Sequence, residues 1–310
     1  MKKHFKNFVP PMILLFMLVS CEIDISVDLP RPVEKLVVEA YIVNGENPYV
    51  FLTKNAGYFD VVDSSTLINM MVFSESTVVT ISDGTQRVRL YPAFIPQFPY
   101  FGYTCDNMTG EVGRQYRLDV SYNDKKYFAY TSIPQPVVID SVWFNLLSDH
   151  DSLGYISFAF QDPPQPGNCY ALHTMVEFEQ LGFLKPYFGS HISDDLYDNG
   201  KKVVFNFISK GAEIISFFEN NDETDEEFLE AVAYGKNTNV LIRLSSIDVE
   251  HYKFWNSYYR HMITWGNPFT NPATILTNIQ GDPAQGFFGG YGTNIVKVHI
   301  TDSATIELIQ

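Results

Sequence analysis

Cysteine is scarce in this chain of 310 residues: there are three, Cys21, Cys105 and Cys169. No CxxC pair occurs, so a cysteine-based zinc site has no support. The seven histidines form neither HExxH nor HxH, and GxSxG is missing too. Zinc hydrolases and nucleophile-elbow esterases thereby lose their usual signatures. Positive charge is also in short supply. Lys and Arg number 21 against 36 Asp and Glu, a formal net charge of −15. A polyanion of this kind repels nucleic acid and anionic lipid, and no nucleic-acid partner is expected. Repeats and low-complexity tracts are absent, which argues against a solenoid or a disordered tail.

No apolar run in the N-terminal segment reaches the length of a membrane-spanning helix. Met12 to Val19 is a short h-region behind Lys2, Lys3 and Lys6, and the order of parts is that of a signal peptide. It ends in Leu18-Val19-Ser20-Cys21, similar to the lipobox of bacterial lipoproteins. The expectation is a signal peptide over residues 1–20 and lipidation of Cys21. Several acyl chains exceed the two-signal threshold for stable membrane attachment. An ordinary signal peptide that happens to end near a cysteine is the alternative. Residues 21–34 read as a lipidated tether, stiffened by Pro30 and Pro32. Glu22, Asp24 and Asp28 resemble the surface-export signal of lipoproteins of the Bacteroidota, with periplasmic retention as the competing address. Cys105 and Cys169 stand far apart in sequence and read as two separate thiols, with a bridge between them as the alternative.

What is abundant is apolar and aromatic: 45% hydrophobic residues, with 19 Tyr and 25 Phe. That composition fits a packed, strand-rich body. Short alternating runs with turn signals fill residues 35–136, including Lys35–Val43, Tyr49–Thr53 and the hairpin around Ser82-Asp83-Gly84-Thr85. Gln115–Tyr122 alternates strictly and turns at Asn123-Asp124. About seven strands predict an Ig-like β-sandwich here. Residues 137–310 predict a second, β-rich domain with one or two helices. Its strands are Val137–Phe144, Gly154–Gln161, Cys169–Phe178, Lys202–Ile208, Val240–Leu244 and Thr293–Ile300. One helix starts at Thr224 with Glu227 as its capping partner. The other runs from about Ile247 to Trp265, capped by Ser245 or Ser246, with Tyr252, Trp255, Tyr259 and Met262 as a core-facing stripe.

Several of these segments together resemble a lipoprotein family of the Bacteroidota, domain of unknown function forty-two forty-nine. They are Cys21 with its acidic-apolar sequel, Leu36 to Ala40, Tyr116 to Val120 with the hairpin leading to Ile133-Pro134, Asp162 to Tyr170, Ser193 to Lys201, and Gly266 to Tyr291. The resemblance implies a lipoprotein encoded beside a TonB-dependent outer-membrane receptor (SusC-like), hence an accessory subunit in nutrient capture and uptake. It brings no catalytic residues.

The residues themselves point to no catalytic or metal site and no cofactor. Asp222 to Glu227 lacks the glycine of a calcium loop, and a helix start explains it. Asp194, Asp195 and Asp198 read as a solvated turn. Ser190-His191 lacks a third partner. Gly266 to Tyr291 is long, irregular and aromatic. Phe269, Phe287, Phe288 and Tyr291 are the candidate ligand- or partner-binding residues, in a loop that closes on a ligand or docks on the receptor. A coil pinned to the sheet by those same aromatics is the other reading. The functional expectation is a non-catalytic, lipid-anchored accessory protein of the outer membrane, facing the cell surface. A glycan or peptide hydrolase using carboxylates and a structural or adhesive surface lipoprotein are the alternatives.

Overall fold

Strand β1 (Leu36–Val43) sets the plan of the molecule. Leu36, Val38, Ala40 and Ile42 enter one core, while Tyr41 and Val43 enter another. Alternate residues of a strand point to opposite faces, so a strand apolar on both lies between two layers. The computed structural model describes residues 34–55, 64–74, 76–97, 99–186, 190–211, 225–264, 271 and 273–309. The leader, Cys21, Pro30, Pro32, the run from Asp222 to Thr224, and Phe269 lie outside the described residues.

From Glu34 onward the chain forms one compact unit, mainly β. After β1 come β2 (Tyr49–Lys54), α1 (Ser64–Met70), β3 (Val78–Ser82), β4 (Arg87–Phe94), β5 (Phe101–Thr104), β6 (Gln115–Tyr122) and β7 (Lys125–Ser132). Then follow β8 (Ile139–Leu146), β9 (Leu153–Gln161), β10 (Cys169–Val176), β11 (Ile192–Asp194), β12 (Lys202–Ile208), α2 (Asp225–Val232), β13 (Tyr234–Gly235) and β14 (Thr238–Ile247). The chain ends with α3 (Val249–Thr264), β15 (Gln280–Gly281), β16 (Ala284–Ile300) and β17 (Ile306–Ile309).

One continuous ladder runs β11-β10-β14-β16-β1-β2-β5-β4-β3-β6-β7-β15, with β17 also on β16. Its corner is β4, which pairs with β3 through Arg87–Leu90 and with β5 through Tyr91–Phe94. Strands that change sheets at a bend make such corners, and Pro92, lacking an N–H, suits the step. The Asn123-Asp124 turn joins β6 to β7 with both residues at positive φ, 48° and 62°, the signature of a type I′ hairpin. The ladder curls until β7 lies over β16, where the Gly290 amide donates to Thr131 Oγ1 at 2.8 Å. The result is a sandwich-like body of seven strands, β1 to β7, around Val38, Val79, Leu90, Leu118 and Phe288. Each such fully buried side chain contributes roughly 1.5–3 kcal/mol.

A smaller sheet, β8, β9, β12 and β13, covers the other end of the ladder. Phe158 and Phe160 of β9 pack there against Leu172, Ile242 and Val298. The third core lies on the far face of β1, under α3, and includes Phe51, Phe254, Trp255 and Phe287.

Three sequence expectations change at this level, the first being that Met262, expected on the core-facing stripe of the second helix, is exposed. Helix α3 is capped by Asp248, whose Oδ1 accepts the His251 amide at 2.8 Å. Ser245 and Ser246 belong to β14, which extends to Ile247. The stretch 284–291, read as irregular, is the first half of a 17-residue strand that pairs in parallel with all of β1.

Candidate functional site

Glu39 stands in the middle of β1, on the face opposite the main core. Its neighbours across the ladder are Phe51 of β2 and Phe287 of β16. A carboxylate between two phenyl rings is costly unless something compensates it. The Tyr41 hydroxyl donates to it from the same face. Glu39 looks into a cavity of about 390 Å³, walled by β1, β2, β16, α1 and α3. That volume falls in the range of about 300–1,000 Å³ usual for small-molecule sites. The apolar wall comes from Leu67, Met70 and Met71 of the α1 region, Phe254 and Trp255 of α3, and Phe51, Phe183 and Phe287.

The polar groups on the wall are few. The Lys185 ammonium sits 3.8 Å from the centroid of the Trp255 ring, a cation–π contact. Lys185 is exposed as a whole residue, but the apolar wall around its ammonium pushes the pKa below the ordinary lysine value, and Glu39 opposes that shift. His173 of β10 also faces the cavity, and its Nδ1 is buried without a hydrogen-bond partner. Burial pushes its pKa well down, helped by Arg243 and Lys185, so the ring is neutral. Gln97 accepts the Tyr49 hydroxyl at 3.1 Å. Arg243 stands just behind, stacked at 3.9 Å on Phe183 and bonded through Nη2 to Glu46 at 2.8 Å.

Beneath the cavity lies a buried aromatic–imidazole layer. His251 stacks on Phe287 at 4.6 Å. Trp255 Nε1 and the Tyr291 hydroxyl both reach its Nε2 at 3.0 Å. Trp can only donate, so Nε2 accepts and the ring carries its proton on Nδ1. Burial pushes the His251 pKa down to about 3. His191 packs edge-on against Trp255 at 4.8 Å, and its Nδ1 meets the Tyr259 hydroxyl at 2.5 Å.

The aromatics singled out in the sequence divide. Phe287 lines the cavity. Tyr291 supports it from behind through His251. Phe288 points the other way, into the main core, as the period of two requires. None of these three sits in a loop; all are on β16 and buried. The irregular residues 273–279 are fixed to that strand by polar groups. Asn278 Nδ2 donates to the Phe288 carbonyl at 2.8 Å and its Oδ1 accepts the Phe288 amide at 2.9 Å.

The acidic turn has a structural role. Asp195 Oδ2 accepts the amides of Gly167 and Asn168 at 2.8 and 2.9 Å. Asp162 accepts the Tyr170 hydroxyl and the Gly200 amide. Two segments that marked the family resemblance, 162–170 and 193–201, thus clasp each other. Ser190 Oγ is engaged with the backbone of Ile192, not with His191. Among the described residues no group of three or more His, Cys, Asp or Glu is placed to hold a metal. Cys105 and Cys169 are buried free thiols in separate cores. No helix among the described residues is long and apolar enough to cross a membrane.

Sequence reasoning missed Glu39, His173 and Lys185 and read Trp255 as core alone. Glu39 carried a signal: it is the one acid in the otherwise apolar run Leu36 to Val43. Lys185 lies in no periodic pattern.

The fold and site define a mainly β protein with an aromatic-walled cavity at the parallel junction of its first and sixteenth strands. Residues 22–294 match the family described as Domain of unknown function (DUF4249), and the chain belongs to that family. No curated protein matches it.

Proposed function

We propose that this is a lipid-anchored, non-catalytic accessory protein of the outer membrane, facing the cell surface, that captures a small nutrient for a TonB-dependent receptor. The observation that carries the reading is the cavity: about 390 Å³, mostly apolar, with a few convergent polar groups, the usual form of a small-molecule site. The lipobox at Cys21 supplies the anchor in this reading. A tether raises the effective concentration of the body near a receptor without strong contacts between them. A carboxylate hydrolase is less well supported, because it needs two carboxyl groups facing one substrate and Glu39 is the single carboxyl on the described cavity wall.

The test is purification of the tagged chain from native outer membranes in mild detergent. Co-elution of a TonB-dependent receptor is expected; a chain that always elutes alone counts against the partnership. The anchor is tested by Cys21→Ser, which is expected to free the protein from cell envelopes under a carbonate wash. Retention of that variant would remove the anchoring premise.

A further inference from the structure

The cavity wall carries two opposite charges that feel each other's field but form no ion pair. Among the described residues neither Glu39 nor Lys185 takes part in an ion pair, although they line one space. Each has a different neighbour. Glu39 is fixed by strand register between Phe51 and Phe287. Lys185 is drawn onto the Trp255 face. The Glu39 carboxylate accepts the Tyr41 hydroxyl, and a carboxylate has about four acceptor positions to fill. An ammonium has three donors, and an aromatic face answers its charge only in part. The histidine beside them is neutral and adds no charge to the balance.

A ligand with one charge meets one favourable pole and one repulsive one. A neutral hydrocarbon fills the space but leaves both poles desolvated, at a cost. A molecule with a positive end, a negative end and an apolar body answers all three features. Resting on the capture reading above, we propose that the cavity binds a small zwitterion with a bulky apolar side chain, a free α-amino acid or a dipeptide. Lys185 receives its carboxylate, Glu39 its ammonium, and Phe51, Phe254, Trp255 and Phe287 enclose its side chain.

The experiment is titration calorimetry on the full chain near neutral pH with five probes. They are L-phenylalanine, L-leucine, the dipeptide leucyl-phenylalanine, 3-phenylpropionate and phenethylamine. The last two keep the ring and one charge each. At least one zwitterion is expected to bind about tenfold or more tightly than either single-charge probe, the scale of one charge-assisted hydrogen bond. The free amino acids and the dipeptide separate the two sources of the zwitterion. Glu39→Gln is expected to erase the preference for the zwitterion over 3-phenylpropionate while keeping that over phenethylamine. Lys185→Gln is expected to do the reverse. This crossed pattern cannot come from misfolding, and unchanged near-UV circular dichroism of both variants checks the fold independently. The assignment is overturned if the folded protein binds no zwitterion, if single-charge probes bind as well, or if both variants lose all probes alike. Receptor co-purification without zwitterion binding overturns the ligand and leaves the capture reading standing. Zwitterion binding without any receptor overturns the receptor partnership alone.

Discussion

Three imidazoles lie close together, His191 and His251 buried and His173 half-buried on the cavity wall, and the protein keeps all three neutral. Their pKa values are driven down chiefly by burial, for His251 from 6.5 to about 3. An unfolded chain protonates these rings below about pH 6.5, while the native state refuses the proton. Their contribution to stability is therefore complete above that pH and is lost progressively as the pH falls below it, for His251 down to about 3. The slope is up to about 1.4 kcal/mol per pH unit for each ring. Urea unfolding is expected to show a clearly lower midpoint near pH 5 than near pH 7.5. His251→Gln keeps an acceptor for Trp255 and Tyr291 and is expected to flatten the dependence. Equal midpoints for the native chain at both pH values would mean that the rings are not held neutral. Asp248 is a second residue with a clear role. It caps α3, and its other oxygen accepts the Thr131 hydroxyl at 2.5 Å. Asp248→Ala removes both bonds and is expected to cost about 1–2 kcal/mol in chemical unfolding, the upper part of the range for a lost cap.

Among the elements, α1, β5 and β17 are not legible in the sequence, and β16 is legible only in its second half, Thr293 to Ile300. Strands with strict alternation were legible: β6 runs from Gln115 to Tyr122, the bounds its pattern predicts. The first half of β16 is rich in glycine, which is depleted in strands, and so it reads as a loop. The glycines are there because other groups come too close for a side chain. A Cβ on Gly289 would lie 2.5 Å from His251 Nδ1, and one on Gly290 would lie 2.2 Å from the Ser132 carbonyl oxygen. Such close approach depends on a partner remote in sequence, which local pattern cannot show. The same limit hid the cavity: Glu39 of β1, His173 of β10, Lys185 from the connection after β10 and Trp255 of α3 are far apart in sequence and meet only in the fold. Gly290→Ala is expected to destabilise the protein by about 1–3 kcal/mol, the cost of overpacking against rigid backbone. Gly235→Ala, whose new methyl group would meet nothing nearer than Thr238 Oγ1 at 3.7 Å, is the control and is expected to leave the melting temperature nearly unchanged.

At the scale of the whole molecule, the first strand and the last long one lie side by side. β1 has β2 on one edge and the first half of β16 on the other, and Phe288 of β16 completes the core that β1 to β7 enclose. A fragment covering residues 34–136 lacks that strand. It is expected to give poorly dispersed amide resonances and no cooperative melting, although it holds seven strands. Adding a separately made peptide of residues 284–300 is expected to restore order in part. A fragment that melts cooperatively by itself would show the pairing to be dispensable. Long-range pairing of this kind also predicts slow folding for the intact chain. Synthesis makes β1 more than two hundred residues before the parallel strand that flanks it, so a growing polypeptide carries an unpaired edge on β1 until β16 is added and the two lock together.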